Sequence, residues 1–161
     1  MTLVRGSECL LTRSAPDGTV EVLLGLKKSG LGEGKVVGPG GHVEPGESDL
    51  QACVRELKEE TGLVVDPEDL RAAGTITFLF PAKPHLDMIV AAFTCDRFRG
   101  ELVESDELAP AWFPVHALPF DRMWDDAKLW VPRALAGEVL KAEISLAPDN
   151  ETVAMARFEP A

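Results

Sequence analysis

Three glutamates in the segment RELKEETG, Arg55 to Gly62, are placed to do chemistry: Glu56, Glu59 and Glu60. Their i, i+3 and i+4 spacing makes them neighbours on the surface of a helix. Each like-charged pair costs roughly 0.2–0.5 kcal/mol. Acids at a helix C-terminus also oppose the macrodipole, so something outside the helix must offset the arrangement. A hard cation does so, because Mg²⁺ takes oxygen ligands and commonly bridges to substrate phosphates. Such an ion neutralises phosphate charge and lowers the pKa of an attacking water. Upstream, Gly38, Gly40 and Gly41 form a loop whose backbone can approach a ligand closely. Arg55 can orient Glu47 or a neighbouring glutamate through a bidentate contact. A solvated acidic face is the commoner meaning of such a run, but it leaves the glycine loop, Glu47, Arg55 and the unfavourable end placement unexplained.

The elements around these residues follow from local pattern. Ser48 with Gln51 fits a capping box, and Asp49 suits the positive end of the helix that follows. Leu50, Cys53, Val54 and Leu57 make its buried stripe, and Gly62 its stop. Thr2 to Thr12 and Val20 to Leu26 read as strands joined by SAPDGT. KKSGLGEGKVVGPGG is a loop too glycine-rich for helix. GTITFLF, MIVAAFTC and the start of PAWFPVHALP have strand character. Lys128 to Leu140 reads as a helix with Pro132 in its first turn. The C-terminal stretch reads as a hairpin around Pro148, Asp149 and Asn150. Strands on both sides of two helices give an α+β fold, an α/β/α sandwich around a mixed sheet, spanning residues 1–161 as one domain.

Composition narrows the partners. The 161 residues are 45% hydrophobic and 27% charged, with a net charge of −11. That charge argues against a nucleic-acid polymer, while a small anionic substrate remains possible if a divalent cation bridges it to the acids. Charges interrupt MTLVRGSECLLTR, so it does not read as a signal peptide, and no apolar run reaches membrane-spanning length. The chain therefore reads as cytoplasmic, without a membrane partner. Cys9, Cys53 and Cys95 lack paired metal-ligand spacing and read as reduced, mostly buried thiols. His42 reads as an exposed loop histidine.

From Gly41 the chain reads glycine, five residues, Glu47, seven residues, Arg55-Glu56-Leu57, one residue, Glu59-Glu60, one residue, Gly62-Leu63. This resembles the Nudix box at every defined position. The resemblance implies a Nudix fold, with a central mixed sheet flanked by helices, and hydrolysis of a phosphoanhydride bond with Mg²⁺, for which Mn²⁺ can substitute. Glu56 and Glu60 are then metal ligands, with Glu59 near the metal, the Gly40 carbonyl a further ligand, and Arg55, Glu56 and Glu59 in the catalytic set. LLGLKKSGLGEGK, VESDELAPAWF and MWDDAKLWVP look like the oxidised-purine nucleoside triphosphatase branch. That similarity implies Glu107 as another metal- or water-positioning acid and Lys27 facing the phosphates. Leu31, Phe78 and Trp124 would line a base pocket with Asp126. The branch carries an asparagine where this chain has Val37, and a second adjacent aspartate where it has Ala127; Asp125 is the candidate substitute. The implied reaction converts a purine nucleoside triphosphate, oxidised or not, to monophosphate and pyrophosphate. The alternatives are a Nudix hydrolase of a different nucleoside diphosphate derivative and a non-catalytic Nudix-fold sensor.

Overall fold

The computed structural model describes residues 3–160. Strand β1 (Val4–Ser14) turns through Asp17 and Gly18 into β2 (Val20–Lys27), pairing Thr12 with Val22. Thr2, the expected start of the first strand, lies outside the described residues. The glycine-rich loop contains two short strands that composition did not suggest, β3 (Val36–Val37) and β4 (Gly40–His42). They exist because β2 and β1 supply their antiparallel partners: Val37 faces Gly25, and Gly40 faces Glu8.

Helix α1 (Asp49–Thr61) begins at the expected cap. The Ser48 Oγ accepts from the Gln51 N–H at 3.1 Å, and the Gln51 side chain accepts from the Ser48 N–H at 2.9 Å. Gly62 ends it in the left-handed region, φ 79°, its N–H donating to the Lys58 carbonyl. Beyond it lie β5 (Arg71–Leu79), β6 (Met88–Cys95), β7 (Leu108–Pro114), helix α2 (Ala127–Leu135), β8 (Leu140–Leu146) and β9 (Val153–Phe158). The strands order as β3-β2-β1-β6-β5-β8-β9, with β4 on β1 and β7 on β2. The β1–β6 and β5–β8 pairs are parallel and the rest antiparallel.

Both faces of this mixed sheet are buried. Cys9, Leu11, Leu23 and Phe93 pack toward Cys53 and Leu57 of α1. Their alternates Leu10, Val22, Leu24 and Ala92 pack toward Trp130, Val131 and Ala134 of α2. The three cysteines are buried free thiols.

The second helix departs from expectation. It ends at Leu135, and Leu140 opens a strand instead of closing the helix. Gly137 at φ 95° breaks it, and Arg133 pairs with Glu138 beyond the break. Pro132 is the sixth residue, past the first turn; it deprives the exposed Lys128 of a carbonyl partner at a position open to water. Among the described residues no helix is long and apolar enough to cross a membrane.

Candidate active site

Glu56 and Glu60 sit on adjacent turns of α1, on the flank of its buried stripe, and are only 9% and 6% exposed. Glu107, exposed on the loop before β7, completes a group whose carboxylate oxygens lie within 4.8 Å of one another. The Gly40 N–H donates to Glu60 Oε1 at 2.7 Å. Burial, with the charges of Glu56 and Glu107 adding to it, pushes Glu60 up to about 7 against that stabilising bond. Burial likewise raises Glu56, opposed by Arg55. Three convergent carboxylates, two of them buried on the helix, are a donor set suited to a hard divalent cation.

The glycines are spatially required. A Cβ at Gly41 would lie 2.6 Å from Cδ of Glu56, and one at Gly40 would lie 2.0 Å from the Ser7 carbonyl oxygen. The Pro39 carbonyl accepts from Cys9 N–H, so it faces β1. Carbonyls alternate along a strand, which turns that of Gly40 away from β1.

Arg55 holds the cleft together. It grips Glu47 with two bonds of 2.7 and 2.9 Å, donates to Glu56 Oε1 at 2.8 Å and Glu59 Oε2 at 3.1 Å, and reaches the His42 carbonyl at 3.1 Å. The Arg55 bond holds Glu47 down at about 2. Glu59 is exposed and tied to Arg55, apart from the three-carboxylate group. Sequence spacing gathered three acids of one helix; the fold gathers two of them with one from a distant loop.

That loop is fixed by its own contacts. Ser105 Oγ accepts from the backbone of Glu107 and Leu108 at 3.3 and 3.1 Å. Lys28 Nζ bonds Glu104 and the Ser105 carbonyl, and the Lys28 N–H donates to the Glu107 carbonyl at 3.0 Å. Neither Ser105 nor Lys28 stood out in the sequence, because nothing local links them.

A second cavity of about 200 Å³ opens on the α2 side of the sheet. Lys27, Gly40, Gly41, His42 and Glu60 border both it and the acidic cleft, so the two are continuous. Its walls include Leu31, Val37, Phe78 and Trp124. Trp124 stands edge-on to Phe80 with centroids 6.4 Å apart, and Lys35 Nζ lies 5.0 Å from its ring centroid. A Cβ on Gly32, which has φ 87°, would lie 3.0 Å from the indole nitrogen. Asp126, 5% exposed, accepts from Trp130 Nε1 at 2.8 Å, and burial raises its pKa.

The NUDIX domain model matches residues 2–134, most of the chain. This protein belongs to the Nudix hydrolases. It is 48% identical over 114 residues to an oxidized purine nucleoside triphosphate hydrolase of Danio rerio, covering 71% of each chain. The Mus musculus protein of the same description is 43% identical over the same shares. Among solved structures, a MutT protein from Bacillus halodurans superposes with a TM-score of 0.80, covering 99% of each chain at 24% identity, which bears on the fold alone.

In this Nudix chain the structure brings Lys27, Leu31, Val37, Phe78, Trp124 and Asp126 to the border of one cavity. Asp125, the candidate for the second aspartate, does not border this cavity. Its carboxylate accepts from the Val153 N–H at 2.8 Å and pairs with Lys128 at 3.0 Å, tying α2 to β9. A different acid was missed. Glu8 follows Gly6 and precedes Leu10 on one face of β1, and all three border the cavity. Burial, with Asp126 and Glu60 nearby, pushes Glu8 up to about 8. Its one sequence signal was an acid at a core-facing position of a strand.

Proposed function

We propose that this chain is a Mg²⁺-dependent Nudix hydrolase that converts a purine nucleoside triphosphate, ordinary or oxidised, to the monophosphate and pyrophosphate. The observation that carries the reading is the continuity of an acidic cleft with an aromatic-walled cavity across Lys27, Gly40 and Glu60. Phosphates and base of one nucleotide can occupy the two together. The relatives described as oxidized purine nucleoside triphosphate hydrolases support the substrate class.

Glu56, Glu60, Glu107 and the Gly40 carbonyl would hold the ion, with Glu59 at its margin; Mn²⁺ can replace Mg²⁺. When bound, the ion supplies charge neutralisation to the phosphates and acidity to an attacking water. Arg55 makes charge-assisted bonds to Glu47, Glu56 and Glu59, which orient these carboxylates beside the cleft. Lys27 meets the phosphate chain at the junction. Trp124, Phe78 and Leu31 stack or enclose the base, and Asp126 accepts from its edge. Val37 contributes shape only. The partner is a small nucleotide, and we place the protein in the cytoplasm as one Nudix domain.

A panel of nucleotides in Mg²⁺, read by pyrophosphate release, tests the reading. Release from purine triphosphates supports it; release only from a nucleoside diphosphate sugar or dinucleotide polyphosphate, or none at all, refutes it.

A further inference from the structure

We propose that Glu8 is a base-reading residue, its carboxyl accepting, together with that of Asp126, the N–H groups of a donor-rich purine such as guanine or 8-oxoguanine. This assignment rests on the purine triphosphatase reading above. It supplies the second polar reader that Val37 and Ala127 leave missing, from a strand where neighbouring residues gave no reason to seek one.

The geometry is specific. Glu8 lies on β1 opposite Gly40, on the α2 side of the sheet, so its side chain enters the cavity and not the acidic cleft behind it. Gly38 makes room for it. A Cβ there would lie 3.0 Å from Cγ, 3.1 Å from Cδ and 3.4 Å from Oε1 of Glu8, although the backbone of Gly38 is one that other residues adopt. Among the described residues no side chain donates a hydrogen bond to Glu8, whereas Asp126 already holds Trp130. The rest of the lining is dominated by apolar side chains such as Leu10, Val36, Phe80 and Met88, with Lys27 the cation that acts on Glu8, so the half-buried Glu8 oxygens stand open to a ligand.

A carboxyl keeps an acceptor oxygen whether or not it is protonated, so it selects for N–H groups in either form. Guanine offers N1–H and the 2-amino group, and 8-oxoguanine adds N7–H. Cytosine offers a single amino group beside a ring acceptor. Two carboxyls in one apolar cavity therefore favour the donor-rich purine, and a site built on such bonds rejects ligands that leave them unmade.

The test compares wild type with Glu8→Leu, which removes both acceptor oxygens at similar volume, where glutamine would keep one of them. kcat/KM is measured for 8-oxo-dGTP, dGTP and dCTP in Mg²⁺, and the Kd of 8-oxo-dGMP by calorimetry. Gly38→Ala, which crowds the carboxyl without removing it, is the second variant. The expected result is a fall of at least ~10-fold in the purine-to-dCTP ratio for Glu8→Leu, weaker 8-oxo-dGMP binding, and a shift in the same direction for Gly38→Ala. An active wild type whose ratio and product Kd are unmoved in both variants overturns the role of Glu8 and leaves the proposed function standing. A wild type inactive on every triphosphate overturns both.

Discussion

Glu60 shows how the residues of this cleft are set against one another. It accepts the Gly40 N–H, which favours the carboxylate, yet burial and two neighbouring acids hold it at about 7. A folded pKa above the ordinary 4.5 means that the metal-free protein is most stable with Glu60 protonated. That contribution is complete below about 4.5 and is lost as pH rises through about 7. In chelator, the thermal midpoint of the wild type should therefore fall over this window more steeply than that of Glu60→Gln, as calorimetry at stepped pH will show; equal slopes would remove Glu60 as the cause. In catalysis, Glu56→Gln or Glu60→Gln should lower kcat by at least ~10²-fold, about 2.7 kcal/mol on the barrier. Glu68→Gln, on an exposed turn outside the cleft, should stay near wild type. Equal losses at Glu68 and Glu56 would mean that the cleft is not the active site. Glu56 and Glu60 could be placed together from sequence because their relation is written in i, i+4 spacing, as is that of Arg55 with Glu59. Glu107 was reached only through family resemblance, since its place depends on Lys28 and Ser105 contacts made across the fold. Glu8 was missed because strand alternation marks a residue as inward without saying that a cavity waits there.

Helix α1 and the strand before it determine where these acids stand. The Ser48 cap satisfies an N–H that the helix cannot, so Ser48→Ala should cost about 1 kcal/mol, read as a lower denaturation midpoint. Gly62→Ala should cost more than that. Its φ of 79° disfavours a side chain, and the Cβ would lie 2.7 Å from the Glu101 carbonyl oxygen. Loss of stability at Ser48 with unchanged kcat would separate the helix as a support from the helix as a source of ligands. Both ends of α1 were readable because caps are local chemistry. The end of α2 was not, since its apolar pattern runs on into β8 and only the left-handed Gly137 separates them. The strands β3 and β4 were hidden for another reason: two and three residues long, they have no pattern of their own and form only against β2 and β1.

Across the whole molecule, the mixed sheet keeps two chemistries apart while letting them meet. Its α1 side supports the acidic cleft, its α2 side the aromatic cavity, and β4 is the border that belongs to both. The architecture itself was evident from alternating strands and two amphipathic helices, because a sheet buried on both faces needs a helix on each. The shape of the base cavity was not, since it is built from side chains of distant segments, with Leu31, Phe78 and Trp124 far apart in the chain. A cation bound by the acids should also stabilise the fold, so millimolar Mg²⁺ should raise the thermal midpoint of the wild type and leave that of a Glu56→Gln/Glu60→Gln double variant nearly still. The most direct test of the account is the product analysis of 8-oxo-dGTP and dGTP incubated with the protein, in Mg²⁺ and in excess chelator. The account predicts monophosphate and pyrophosphate in Mg²⁺, with turnover abolished by chelator and restored by Mg²⁺ or Mn²⁺. Hydrolysis undiminished by chelator, or no turnover of either nucleotide with the metal present, would contradict it.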